Sequence, residues 1–474
     1  MGGLRRHLAG YLPINILQAV LSLVTLSLFT RLLTPREYGV YTLCITAILW
    51  IQGLSFQWLI LGMGRFVEKA HQTGQFAELL STAYRLFSWL TTGWVVVAAL
   101  LSFWWDDPLL VIASVSVLLI RALVQLNLEI HRNSQKITRY SVLEGLQSSL
   151  SLTMAVILIG SSERPALAPL WGLAGANVLV ALLDIRVLYA QVRQVLSLPL
   201  MREIAHYGAP LALASLLSFV VANADRFLIA WFMDPSAVGR YAVAYGLADR
   251  PLLILFNWVG MATTPLLFSA MQQEGHRGVI RVMEGSIRTL ILFVLPASVG
   301  LAAVTPTLVS LLVGQSFQTE VISLLPWLIV SSVLHGFALH YFAHVFLVTK
   351  QTSLLMWTIL ASAVINILLN LLWIPMWGLF GAVLGTLAAY ALELGLNGWL
   401  GRRYLPIPLP LTTLGKGLAA CTILFVAVRG LDYPASIVGL VLAILAGMIV
   451  YGLAILLLDV AEVRTQGWFF GVKK

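Results

Sequence analysis

The chain has 474 residues, 59% of them hydrophobic and only 10% charged, with a mean hydropathy of +0.91. No soluble fold of that length hides so much apolar surface, so the composition excludes a soluble enzyme and predicts a polytopic, all-α membrane protein. The net charge of +9 would suit nucleic acid, but its distribution along the chain assigns it to topology instead.

Arg5 and Arg6 are followed by about twenty apolar residues with no A-x-A cleavage site, which reads as a retained first span rather than a removed signal peptide. Apolar runs predict about fourteen transmembrane helices, centred near residues 21, 50, 94, 117, 150, 177, 220, 250, 297, 333, 362, 390, 421 and 446. Connections are short, and none is long enough to hold a glycosyltransferase or ATPase module. With the N-terminus in the cytoplasm, most Lys and Arg fall on cytoplasmic segments, among them Arg65, Lys69, Arg132, Lys136, Arg139, Arg277, Arg281, Arg402 and Arg403. Arg31, Arg36, Arg164, Arg240 and Arg429 fall on the other side, and Arg226 and Arg250 within the membrane. That bias predicts both termini in the cytoplasm and no nucleic-acid partner.

Internal repetition organises the chain. Thr34-Pro-Arg-Glu-Tyr-Gly-Val-Tyr41 returns as Asp234-Pro-Ser-Ala-Val-Gly-Arg-Tyr241, with Pro, Gly and Tyr offset by 200 residues. Pro169-Leu-Trp-Gly-Leu-Ala-Gly-Ala176 returns as Pro375-Met-Trp-Gly-Leu-Phe-Gly-Ala382, offset by 206. Pro at a helix start and Gly at a close helix contact account for each copy, though not for the repetition. Two homologous six-helix bundles are expected, 1–205 and 206–405, in parallel repeat around a central cavity. Two additional helices and a cytoplasmic tail occupy 406–474.

The turn at Asp234–Gly239 joins two antiparallel spans, each carrying an adjacent Asp-Arg pair: Asp225-Arg226 and Asp249-Arg250. At 1.5 Å per residue both pairs lie roughly 13–16 Å below one membrane surface. Ionisable groups at that depth either neutralise one another, Asp225 with Arg250 and Asp249 with Arg226, or line a pathway. Six spans carry polar stripes at helical spacing: Asn15, Gln18, Ser22 and Thr25; Arg121, Gln125, Glu129 and Arg132; Ser215, Ser218, Asp225 and Arg226; Tyr241, Tyr245 and Asp249; Thr358, Ser362, Asn366 and Asn370; Thr386, Tyr390, Glu393 and Asn397. Each stripe serves either interhelical hydrogen bonding or a shared water-filled cavity. Arg121 has Gln125 and Glu129 on its own face as pairing partners. Glu393, too far from Arg402 to pair with it, is the candidate coupling site for a proton or sodium ion.

His340 and His344 share a helical face that His335 does not, and a third ligand is lacking, so no metal site is expected. Cys44 and Cys421 lie far apart in apolar runs and imply no disulfide framework. The sequence carries no G-x-x-x-x-G-K-[ST] loop, H-E-x-x-H pair or Ser-His-Asp arrangement, so neither a cofactor nor an enzymatic reaction is expected.

Phe29-Thr-Arg-Leu-Leu-Thr-Pro-Arg-Glu-Tyr-Gly-Val-Tyr41 resembles the first-turn signature of bacterial polysaccharide-repeat-unit flippases. So do Asp225-Arg226-Phe227 with the following turn, and Lys350–Tyr390 with Asn366, Asn370, Ile374-Pro375 and Gly378-x-x-Gly381-Ala382. The resemblance covers nearly the whole chain, within the superfamily that also holds multidrug extruders and lipid II flippases. It implies transfer of an undecaprenyl-diphosphate-linked oligosaccharide from the cytoplasmic to the periplasmic face of the inner membrane, for lipopolysaccharide or exopolysaccharide assembly. Membrane lipids, a polysaccharide polymerase and a chain-length regulator are the partners it implies. Arg226, Arg250 and Arg121 would hold the diphosphate, with Asp225, Asp249, Asn366 and Asn370 beside them. A lipid II flippase would carry an Arg-rich first helix, but here that helix is uncharged between His7 and Arg31. A multidrug or cation antiporter would favour an acidic, aromatic cavity. A membrane polymerase or ligase would need a large outer loop.

Overall fold

Local chemistry starts the helices that follow the repeated turns. In the computed structural model, Thr34 caps α2 (Pro35–Ser55) through a reciprocal box: its hydroxyl accepts from the Glu37 amide, and the Glu37 carboxylate accepts from the Thr34 amide at 2.8 Å. Asp234 caps α9 (Pro235–Gln273) by accepting from the Ala237 amide at 2.8 Å. Pro35 and Pro235 occupy the first helical positions, where no amide donor is needed.

The structure describes residues 2–188, 192 and 196–460; within them, the side chains at 2–13, 15, 16, 186, 187, 214, 217, 218 and 220–222 are outside the description. Every regular element among the described residues is helical. Before α2 comes α1 (Gly2–Leu32), and after it α3 (Gln57–Thr73), α4 (Phe76–Trp104), α5 (Pro108–Asn133), α6 (Ile137–Ser161), α7 (Ala168–Leu188) and α8 (Leu198–Phe232). Beyond α9 follow α10 (Gly275–Ala303), α11 (Thr305–Leu312), α12 (Gln318–Phe337), α13 (Ala343–Val348), α14 (Thr352–Trp377), α15 (Leu379–Gly401), α16 (Leu411–Gly430) and α17 (Ile437–Leu458). A π-helical turn, Ala338–Phe342, joins α12 to α13.

Twelve described helical stretches are long and apolar enough to cross a membrane, and twelve of the expected centres fall one in each. The remaining two, near 21 and 220, fall in α1 and α8, part of whose side chains lie outside the description. Twelve is therefore the number that rests on described residues.

The chain divides into two units, Met1–Asn223 and Ala224–Lys474. Within the first, α5 packs against α2, α3, α4 and α7, while α6 packs against α1 and α7. The sealed core of this unit includes Phe56, Leu59, Met63, Leu79, Leu80 and Val117. Within the second, α9 packs against α10 and α12, α15 against α12 and α14, and α16 against α10 and α17.

The Pro-x-Trp-Gly copies differ locally. Pro169 and Gly172 lie inside the first turns of α7, and a Cβ on Gly172 would stand 2.5 Å from the Ala155 amide nitrogen of α6. Pro375 instead lies in the last turn of α14, and Gly378 breaks that helix from α15 with a φ of +56°. The first glycine permits a close helix contact and the second a backbone turn closed to most side chains.

Candidate functional site

In the second unit, the polar stripes of α9, α14 and α15 meet. Asp225, near the C-terminal end of α8 and only 4% exposed, accepts a 2.6 Å hydrogen bond from the Tyr241 hydroxyl and a 2.8 Å one from the Arg226 amide. Tyr241 also lies 3.3 Å from the Thr386 hydroxyl, which receives the Asn366 amide at 3.4 Å. The Asn370 amide donates in turn to Asn366 at 3.0 Å. One turn further along α9, the Tyr245 and Tyr390 hydroxyls are 3.2 Å apart, and the Arg226 guanidinium sits 5.4 Å from the Tyr245 ring centre.

Glu393, 2% exposed, lies 3.1 Å from His335 Nδ1, whose ring stacks on Tyr390 at 4.3 Å. Asp249 is hydrogen-bonded to Ser332 and lies within electrostatic reach of His335, Arg250 and Arg226. The four groups thus have unequal surroundings: Asp225 is answered by Arg226 and Tyr241, and Asp249 by Ser332, His335 and both arginines. Asp225 is buried, Arg226 and Asp249 are half-buried, and Arg250 is exposed. An equivalent burial of both pairs is not observed, because Asp225 meets α9 at Tyr241, about two helical turns before Asp249-Arg250 on the same helix.

The stripes of α14 and α15 serve interhelical hydrogen bonding: Ser362 donates to the Ala389 carbonyl at 2.9 Å, and Asn397 to the Ala338 carbonyl at 3.3 Å. The π turn also alters the histidine register. A five-residue step from His335 to His340 matches its i→i+5 repeat, so His340 comes within electrostatic reach of both His335 and His344. No group of three metal-binding side chains occurs among the described residues.

In the first unit, the stripes of α1 and α5 line one polar pocket of about 450 Å³. Gln18, Ser22, Thr25, Arg121 and Gln125 enter it as the stripes predict, and Tyr41 joins them from α2. Arg121 pairs with neither Gln125 nor Glu129; it donates to Gln52, while Glu129 takes Arg132 at 2.8 Å. Sequence reasoning missed the α6 side of the pocket, Glu144, Gln147, Ser148 and Ser151, although their i, i+3, i+4, i+7 spacing is itself a helical stripe. Asn15 and Ser218 lie outside the described side chains.

A second missed cluster ties α5, α6 and α7. Asp184, 1% exposed, lies 3.0 Å from His131 Nε2 and accepts from the Arg139 guanidinium at 2.7 Å. Asp184 is 53 residues from His131 and 45 from Arg139, so no local spacing announces its part in the cluster.

Twelve apolar spans and interlocked polar stripes define a multi-pass membrane protein whose fold is that of flippases and multidrug transporters. The structure is similar to an inward-closed lipid II flippase, MurJ, with a TM-score of 0.75 and 13% identity over 96% of this chain and 98% of that one. It is similar also to an inward-facing multidrug resistance MATE family transporter of the MOP superfamily, with a TM-score of 0.67 and 14% identity over 81% and 94%. A MOP superfamily transporter from Pyrococcus furiosus gives a TM-score of 0.53 and 13% identity over 83% and 93%. At these identities the likeness establishes the fold alone. Residues 28–322 match the family model described as polysaccharide biosynthesis protein, and the chain belongs to that family. No curated protein matches by sequence.

Proposed function

We propose that this protein is a flippase that carries an undecaprenyl-diphosphate-linked oligosaccharide across the bacterial inner membrane, from the cytoplasmic to the periplasmic face. Both termini are cytoplasmic in this reading, as the Lys and Arg distribution along the sequence supports. The two six-helix halves, 1–205 and 206–405, rock against each other to alternate access, with 406–474 as an appendix. The polysaccharide pathway is lipopolysaccharide or exopolysaccharide assembly, with a polymerase and a chain-length regulator as partners downstream.

One observation carries the reading. In a chain of the polysaccharide biosynthesis family, exposed Arg250 on α9 and half-buried Arg226 on α8 both lie within electrostatic reach of Asp249. Arg matches phosphate oxygens bidentately, and a diphosphate needs more positive charge than a balanced ion pair offers. Glu393, buried against His335, provides the group that a coupling proton or sodium ion would address.

The test is polysaccharide export per amount of folded protein in the membrane. Because Arg250 also lies within electrostatic reach of Asp249, export is normalised to folded protein, and on that scale Arg250→Ala should export poorly. Arg250→Lys, which keeps the charge without the planar fork, should recover part of the loss. Normal export by Arg250→Ala would refute a diphosphate role for this residue.

A further inference from the structure

The pocket of the first unit differs in charge from the arginine-bearing hairpin of the second. Its walls carry one guanidinium, Arg121, and one carboxylate, Glu144, and no ion pair joins the two. Arg121 donates instead to Gln52. The side chains of Gln18, Thr25, Gln125 and Glu144 make no hydrogen bond to another described residue. All four are half-buried. Half-buried amides, a hydroxyl and a carboxylate turned into one cavity call for a partner that both donates and accepts.

The charge balance decides which partner. A diphosphate brings at least two negative charges, and Glu144 would repel it while a single Arg answered it. A cation would meet Arg121. A neutral polyol meets neither objection: each hydroxyl both donates and accepts, so it satisfies Glu144 and Arg121 at once. The Tyr41 ring on the pocket wall is held edge-on by Phe29, with centroids 5.6 Å apart. It offers a fixed aromatic surface to the C–H groups of a sugar ring. A volume of about 450 Å³ lies within the range of small-ligand sites.

We infer that this pocket is a carbohydrate subsite, taking an uncharged pyranose ring of the lipid-linked oligosaccharide. The inference rests on the flippase reading for the origin of the sugar. It separates recognition within the protein: the saccharide is read by the first unit, and the diphosphate is held by the arginines of the second.

The experiment uses the full chain in nanodiscs, with free glucose, galactose and N-acetylglucosamine at millimolar concentration as one set of probes and inorganic pyrophosphate as the other. Thermal unfolding without ligand reports folding of every variant, and the ligand-induced shift reports binding. At least one hexose should stabilise the wild type. Glu144→Gln and Gln125→Ala, on different helices, should each weaken that response about tenfold or more, the equivalent of a hydrogen bond to a charged or buried group. Their response to pyrophosphate should be unchanged. Hexose binding that survives both substitutions would overturn the subsite. A wild type that answers pyrophosphate and ignores every hexose would overturn it too, while leaving the flippase reading intact. Loss of the pyrophosphate response alone, with hexose binding kept in the pocket, would count against the flippase reading and not against the pocket.

Discussion

The Tyr241 hydroxyl donates a 2.6 Å hydrogen bond to the Asp225 carboxylate across the turn that joins α8 to α9. Tyr241 is fully buried and Asp225 nearly so, hence the bond is made where water cannot replace it. Tyr241→Phe therefore deprives a buried carboxylate of a donor. A loss of about 1–3 kcal/mol is expected, measured as a lowered unfolding midpoint in detergent. Exchanging charges between helices, Asp225→Arg with Arg250→Asp, should not recover wild-type amounts in the membrane, because the site that receives the arginine is built around Tyr241 and Thr386. Recovery would restore the simple clamp between the two helices.

Buried Glu393 and half-buried His335 form an acid-base contact between α15 and α12. Glu393→Gln retains shape and hydrogen bonding but removes the exchangeable charge. Transport should fall while membrane insertion and lipid-substrate binding persist, and the remaining rate should no longer respond to an imposed proton or sodium gradient. Full, gradient-sensitive transport by this variant would assign Glu393 to structure.

Asp184 answers both His131 and Arg139 from a position 1% exposed. Asp184→Ala leaves two donors facing an empty site. The expected cost is about 3–5 kcal/mol, read as loss of folded protein from the membrane. Combining it with Arg139→Leu should give back part of that loss.

His71 lies on α3, outside the twelve apolar spans, stacked 3.8 Å from Phe76 and 3.1 Å from the Ser134 hydroxyl. Partial burial, and then the charge on Lys136, hold its imidazole below the ordinary 6.5. The unfolded chain thus takes up a proton first as pH falls. Stability is fully present above 6.5 and declines between 6.5 and the lower folded value. Titration by histidine nuclear magnetic resonance should place His71 below 6.5, and Lys136→Ala should move it part of the way back.

Legibility from sequence followed the range of the interaction. The starts of α2 and α9 could be read from Thr34-Pro35 and Asp234-Pro235, because capping is settled within four residues. The stripe residues Tyr241, Asn366 and Thr386 could be read as polar faces, since periodicity is local too. Their choice of one another could not, being fixed by how three helices pack. His131, Arg139 and Asp184 carried no signal for the same reason. His335 and Glu393 were each singled out, yet their pairing depends on the meeting of α12 and α15. The α6 face from Glu144 to Ser151 is different: its spacing was plain, and reading it beside Arg121 would have predicted a polar pocket.

The wide turn at Ala338–Phe342 acts as a phase coupling between two lengths of one rod. On its N-terminal side, Ser332 and His335 address Asp249 and Glu393. Within it His340 stacks against Phe256, and on its C-terminal side His344 meets the Thr264 hydroxyl at 3.3 Å. A helix of uniform pitch would have to give up one alignment to keep the other. With the added residue, the two lengths keep the separate azimuths their own contacts require.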